Sequence, residues 1–204
     1  LWPLAHLHRL PATAYSDRVP VVLVHGYMGH RDMFRPLHRR LILEGFGTVV
    51  RVGYASTRLS LSEITDIIEL AVSNAAGNGT VDLVGHSLGA VACRAYLKVC
   101  GGERSVRRFV SLGGPHAGTS LFRLAPPKLW EVLDPDGPWV KRLAAGAEPV
   151  PTTVIRARYD HQVLPPRRAT LPGAHEVVLS GHGHNGLLWS RRAHDEVIRA
   201  LGET

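Results

Sequence analysis

Cysteine is almost missing from this chain, with two in 204 residues, and that scarcity excludes a disulfide-stapled scaffold. If Cys93 and Cys100 share one helix, they stand roughly 10 Å apart, too far to bridge. Both therefore read as buried free thiols. No apolar run reaches the length of a membrane-spanning helix. There is no internal repeat and no low-complexity tract. Nothing has the spacing of a metal site, neither a Cys/His cluster nor an acidic loop. A concentrated basic element is also lacking. The formal charge of +7 comes mostly from scattered arginines, of which Arg107-Arg108, Arg167-Arg168 and Arg191-Arg192 are the densest pairs. That distribution argues against a nucleic-acid binder and leaves a weak pull toward anionic surfaces.

What is present fits one globular domain. Hydrophobic residues make up 45 % and charged residues 20 %, ordinary proportions in a chain long enough to bury a substantial core. The first residue is Leu1 and not Met, so an upstream segment, whether a signal peptide, an anchor or merely the boundary of a longer chain, is expected to have been removed or left out. LWPLAHLHRLPATAY is apolar but interrupted by two prolines, and residues 1–18 read as an extended arm ahead of a single domain at 19–204.

Within that domain two kinds of segment alternate. VPVVLVHG (19–26), GTVVRVGY (47–54), VDLVGH (81–86), VRRFVSLGG (106–114), TTVIRAR (152–158) and HEVVLSG (175–181) are short, β-branched and apolar, the profile of buried strands. Helical spacing marks 32–44, where Met33, Leu37, Leu41 and Ile42 share a face. It recurs over 60–76, with Ser60 as cap and Gly77 as stop, over 91–99 closed by Gly101, and over 190–201. The alternation predicts an α/β fold of about six mostly parallel strands with helices on both faces. Residues 117–150 interrupt the rhythm with five prolines and with Trp130 and Trp139. They read as an insertion over one end of the sheet, the two tryptophans serving as core, pocket wall or lipid contact.

The chemistry centres on VDLVGHSLGAVACRAYL. Gly85-His86-Ser87-Leu88-Gly89 is a G-x-S-x-G pattern between an expected strand and an expected helix, the context of a nucleophile elbow. A sharp turn there strains the central residue and crowds the two glycines. It leaves the Ser87 hydroxyl exposed at the carboxyl edge of the sheet, where parallel α/β sheets bind ligands. A serine needs a base to take its proton, and the base needs an acid to orient it. Asp160 and His184 each follow a strand, and Ser87, Asp160, His184 is the chain order of this architecture. Asp82 begins its strand at the wrong edge, Asp134 and Asp136 read as turn residues, and Asp195 and Glu196 fall inside the last helix. His182, two residues before His184 in GHGHNG, is the rival base.

These segments resemble the small bacterial triacylglycerol lipases and esterases of the α/β-hydrolase fold, the kind with little or no lid. VVLVHGYMG, VGHSLGA, SLGGPHAGT, YDHQV and GHGHNGLL match in family order, from about residue 19 to residue 201. The resemblance assigns the base to His184 and leaves His182 a loop residue. It implies an oxyanion hole made by the backbone N–H groups of Tyr27 and Leu88, and structural roles for His25 and His116. Tyr27, Met28, Leu187 and Leu188 are expected to touch substrate, with Trp189 and the insertion shaping the pocket. The implied activity is hydrolysis of carboxylic esters, acylglycerols among them, through an acyl-enzyme on Ser87, without metal or organic cofactor. Ester or lipid is the expected partner, with peripheral contact at lipid surfaces, little interfacial activation and a secreted or cell-envelope location. A thioesterase or acyltransferase would use the same three residues. A non-catalytic binding protein is disfavoured because none of the three is lost. Haloalkane dehalogenase and epoxide hydrolase chemistry is disfavoured because the nucleophile position holds serine.

Overall fold

The computed structural model describes residues 18–202; except for Arg18, the arm expected at 1–18 lies outside the described residues. Six strands form one sheet: β1 (Val21–Val24), β2 (Val49–Val52), β3 (Val81–His86), β4 (Val106–Leu112), β5 (Thr152–Ala157) and β6 (His175–Leu179). Their order is β2-β1-β3-β4-β5-β6, every pairing parallel. The expected α/β-hydrolase sheet is therefore present, with β4, β5 and β6 a residue or two shorter than their apolar runs and β1 and β2 four residues shorter. The chain leaves β1 for β2 on one side and returns to β3 on the other. The carboxyl ends of β1 and β3 thus flank the crevice where strand order reverses, the usual ligand position in such sheets.

Alternation along the strands divides the core in two. Val22, Val24 and Leu83 face a layer made by α2 (Leu61–Ala76) and α3 (Leu88–Val99); Val21, Leu23 and Val84 face α1 (Arg35–Leu43) and α6 (Arg191–Gly202). The start of α2 follows from its sequence. The Ser60 hydroxyl accepts the Glu63 N–H, the Glu63 carboxylate accepts the Ser60 N–H at 2.8 Å, and Gly77 closes the helix with φ 55°.

Two expectations need correction. The first helical segment opens with a 3₁₀ turn, Arg31–Phe34, before α1, and Ile42 points outward at 43 % exposure while Leu37 and Leu41 are fully buried. At 100° per residue Ile42 lies too far round from the Leu37–Leu41 stripe to share it. Cys93 is a buried thiol as expected, but Cys100 caps α3 and is exposed. The region 117–150 is helical in short pieces: 3₁₀ turns at Phe122–Leu124 and Pro127–Leu129, then α4 (Trp130–Leu133) and α5 (Pro138–Ala144). Pro127 and Pro138 start two of these pieces at their first turns, where a missing N–H costs nothing.

Candidate active site

β3 ends at His86 and α3 begins at Leu88, so Ser87 alone makes the turn, with φ 54° and ψ −126°. A residue with a Cβ adopts this conformation at a cost of about 1–3 kcal/mol, sustained only where its surroundings enforce it. Here they do. The Ser87 N–H donates to the Leu112 carbonyl at 2.9 Å, and bare backbone packs on every side. A Cβ on Gly89 would come within 2.2 Å of the His25 carbonyl oxygen, and one on Gly85 within 2.6 Å of the Ala90 Cα. Close approach of α3 to β1 thus explains the second glycine of the motif, and the tightness of the turn explains the first. Gly26 lies over the nucleophile, its hypothetical Cβ 2.7 Å from the Ser87 Cβ. The loop after β1 is therefore laid directly against the serine.

The structure brings together the three residues expected from the sequence. His184 Nε2 stands 2.8 Å from Ser87 Oγ, and His184 Nδ1 stands 2.8 Å from Asp160 Oδ2. With the Nδ1 proton donated to the carboxylate, Nε2 is bare and accepts the serine hydroxyl. The other carboxylate oxygen accepts the Gln162 and Val163 N–H groups at 2.8 and 2.9 Å. Burial pushes the Asp160 carboxyl up, but the His184 contact and those two N–H donors outweigh it and hold the group below the ordinary carboxylate range. The carboxylate is thus fixed in place and charged. His86 packs beneath the base with ring centroids 5.1 Å apart and donates Nε2–H to the His184 carbonyl at 3.4 Å. Burial, with the neighbouring His184, pushes the His86 imidazole down to about 3, so it stays neutral.

The rivals are engaged elsewhere. His182 Nε2 pairs with the Ser190 hydroxyl at 3.0 Å, at the start of α6. Asp82 forms a two-pronged pair with Arg107, at 2.9 and 2.6 Å, at the opposite edge of the sheet. Asp134 accepts the Asp136 N–H in a local turn, Asp195 pairs with Arg40, and Glu196 pairs with Arg199. His116 pairs with the Ser111 hydroxyl at 2.7 Å, and His25 donates to the Gly26 carbonyl at 2.9 Å. Both keep the structural character expected of them.

Ser87 and His184 open onto a cleft of about 430 Å³. Tyr27, Met28 and Leu88 line it, the first two being residues the sequence pointed to for substrate contact, and its far wall is Leu121, Leu124, Leu129 and Leu133 from the insertion. Sequence reasoning placed the insertion here but not these leucines. Their i, i+3 and i, i+4 spacing within short helical pieces was the available signal. Leu187 and Leu188 do not line the cleft. They are 0 % and 1 % exposed in the core layer between the sheet and α6. The 3₁₀ turn Asn185–Leu188 directs both inward, where they anchor the loop that carries His184. Trp189 is exposed beside α1 and α6, away from the cleft. Trp139 packs on the core and Trp130 lies edge-on to Phe122, so neither tryptophan is a cleft wall.

As the first helical residue, Leu88 has an N–H without an intrahelical acceptor, at the positive end of α3 and adjoining Ser87. Tyr27 follows the glycine that covers the serine.

Solved structures share this architecture. Aspergillus fumigatus lipase B is 20 % identical with a TM-score of 0.74, over 95 % of this chain and 55 % of that one. The mature form of a Bacillus licheniformis lipase is 14 % identical with a TM-score of 0.72, over 90 % of this chain and 92 % of its own. A Paleococcus ferrophilus monoacylglycerol lipase is 19 % identical with a TM-score of 0.68, over 90 % and 95 % of the two chains. At such identities the likeness establishes the α/β-hydrolase fold. The family model for palmitoyl protein thioesterase matches residues 20–163, a span that carries the loop after β1, the elbow and Asp160. By that match, covering well over half its length, the chain belongs to the palmitoyl protein thioesterase family.

Proposed function

We propose that this protein is a serine hydrolase that cleaves carboxylic esters of apolar acyl groups through an acyl-enzyme on Ser87. One observation carries the reading: the unbroken hydrogen-bond chain from Ser87 Oγ through His184 to Asp160, 2.8 Å at each step, at the head of an apolar cleft. His184 Nε2 takes the hydroxyl proton as Ser87 Oγ attacks the carbonyl carbon. The resulting oxyanion is held by the Tyr27 and Leu88 N–H groups. Collapse of the tetrahedral species returns that proton from His184 to the leaving oxygen. Water then enters by the same route and releases the acid. Asp160 holds the imidazole in the tautomer each step requires and stabilises its charge.

The family match supports a second reading, in which the leaving atom is a thiolate sulfur. The three residues serve both bonds. The lipases among the structural neighbours support the oxyester, and at the rim of the cleft Met28 is 76 % and Leu124 82 % exposed, which supports contact with a lipid surface. The secreted or cell-envelope location is part of the same proposal, tested by cell fractionation.

The test is hydrolysis of a p-nitrophenyl ester series from acetate to palmitate, beside palmitoyl-coenzyme A, by wild type and by Ser87→Ala. Loss of the nucleophile is expected to cut turnover by several orders of magnitude, leaving about 10³–10⁴-fold over water from binding and the oxyanion donors. The ratio of thioester to oxyester kcat/KM at equal chain length then identifies the leaving group. Equal activity of the two proteins would remove Ser87 from the mechanism.

A further inference from the structure

Tyr54 lies after β2, outside the cleft and in contact with none of the reacting atoms, yet it holds the loop that carries the Tyr27 N–H. Its hydroxyl donates to the His25 carbonyl, and its ring stacks on the His25 imidazole with centroids 4.1 Å apart and planes 7° from parallel. On its other side the same carbonyl abuts Gly89, where even a Cβ would not fit. The carbonyl of His25 is thus pinned between the helix that follows Ser87 and the hydroxyl of Tyr54.

The loop needs such a fixture. The Gly29 N–H donates to the Gly26 carbonyl at 3.1 Å, closing a tight turn, and Met28 within it has φ 53°, a strained value for a residue with a Cβ. The His25 imidazole donates into the same turn at Gly26. Burial lowers the affinity of that imidazole for protons and raises the Tyr54 hydroxyl far above its ordinary value. Both shifts favour the neutral form of the side chain. Left to itself, a turn of this kind relaxes, and a donor displaced by a fraction of an ångström no longer meets an oxyanion.

We infer that Tyr54 is a positioning residue for the oxyanion hole: its hydroxyl and ring lock His25, and through it set the Tyr27 N–H for transition-state binding. The inference rests on the hydrolase reading above. The experiment compares wild type, Tyr54→Phe, Ser87→Ala, and protein carrying 3-fluorotyrosine at position 54, which keeps both ring and hydroxyl. Steady-state kinetics on the best ester are paired with inhibition by an alkylboronic acid, which forms a tetrahedral adduct on serine, and by the unreactive ether analogue of the substrate. Tyr54→Phe keeps the stacked ring and is expected to fold, as judged by near-UV circular dichroism. It should lower kcat about tenfold with KM changed less than about twofold, a fraction of the 10²–10³ that loss of a whole donor costs. Boronate affinity should fall in parallel and ether affinity should hold, while fluorotyrosine protein retains wild-type kcat.

Wild-type kcat in Tyr54→Phe overturns the inference and leaves the hydrolase reading intact. So does a loss shared equally by kcat, KM, boronate and ether, which would mark a merely structural role. If Tyr54→Phe fails to fold, 4-fluorophenylalanine at position 54, which fills the space of the hydroxyl without its proton, takes its place: loss of kcat with parallel loss of boronate affinity counts for the inference, and wild-type kcat counts against it. Full activity in Ser87→Ala is a separate result that removes the hydrolase reading and the inference with it.

Discussion

His184 stands on a short 3₁₀ turn whose next residues, Leu187 and Leu188, are locked into the core layer beneath α6. The base is therefore positioned by packing as much as by Asp160. Removing the buried Leu187 side chain is expected to destabilise the protein by about 2–5 kcal/mol, since the cavity left behind cannot fully collapse. Urea denaturation of Leu187→Ala measures this. The relative rates on short and long acyl esters, taken well below the new melting point, should match wild type. A shifted chain-length profile at unchanged stability would return Leu187 to the cleft wall. The sequence could not separate these roles, because GLLW spans less than two helical turns and has no period from which to read a buried face. Ser87 was legible for the opposite reason. A strand, two glycines four residues apart and a helix constrain one backbone geometry, and little else satisfies it. The Tyr54 contact was invisible, since nothing in RVGYAS indicates that its ring meets a histidine on another strand.

At the scale of elements, the sheet carries the reacting groups and the insertion carries the cleft wall, and a buried ionic contact joins the two. Arg94 of α3 donates to the Glu148 carboxylate from Nε at 3.0 Å and from Nη2 at 2.7 Å, and to the Leu143 carbonyl at 2.7 Å, while Lys98 adds a second cation at 3.4 Å. Both Arg94 and Glu148 are almost wholly buried. Arg94→Met strands the carboxylate with only the longer lysine contact and is expected to cost about 3 kcal/mol. The double variant Arg94→Met/Glu148→Leu should recover part of that loss, because the stranded carboxylate is gone and the Lys98 ammonium keeps the Gly146 and Ala147 carbonyls. Melting curves for the two single and the double variants close the cycle, and additive losses would show that the residues do not act as a pair. The alternation of elements was readable because each strand is a continuous apolar run. The insertion's helices were not, since pieces of three to seven residues are shorter than the window over which helical periodicity emerges.

Over the whole molecule, acid should be the weak side. Among the described residues burial lowers the proton affinity of five imidazoles, those of His25, His38, His86, His116 and His194. In the unfolded chain each would titrate near its ordinary value of about 6.5. As pH falls below that value, the unfolded chain binds protons that the folded chain refuses, so stability is complete above about 6.5 and declines beneath it. Each such histidine contributes a slope of about 1.4 kcal/mol per pH unit until its folded value is reached. For His86 that limit is about 3. His86 and His116, the two most deeply buried of these rings, carry the largest part of that slope between pH 6 and pH 5. The lowered Asp160 carboxyl acts in the same direction but only below about pH 4, where an unfolded aspartate begins to protonate. Urea melts at pH 7.5, 6 and 5 test this, and a flat stability across them would contradict the burial of these rings.

One turn on the surface divides the machinery in an unexpected place. Gly146, between α5 and β5, is exposed with φ 69°, and space is open around it. Everything before it supplies the candidate nucleophile and the loop laid against it; everything after it supplies the candidate base and its carboxylate. Cut there, the chain gives two halves, each chemically mute. They share a parallel strand pairing, β4 on β5, and the Arg94–Glu148 contact that straddles the break. Fused to two proteins that bind one another, such halves would be expected to regain ester cleavage only when their partners met. The fold thus contains, at a single glycine, the layout of a two-part reporter of molecular encounter.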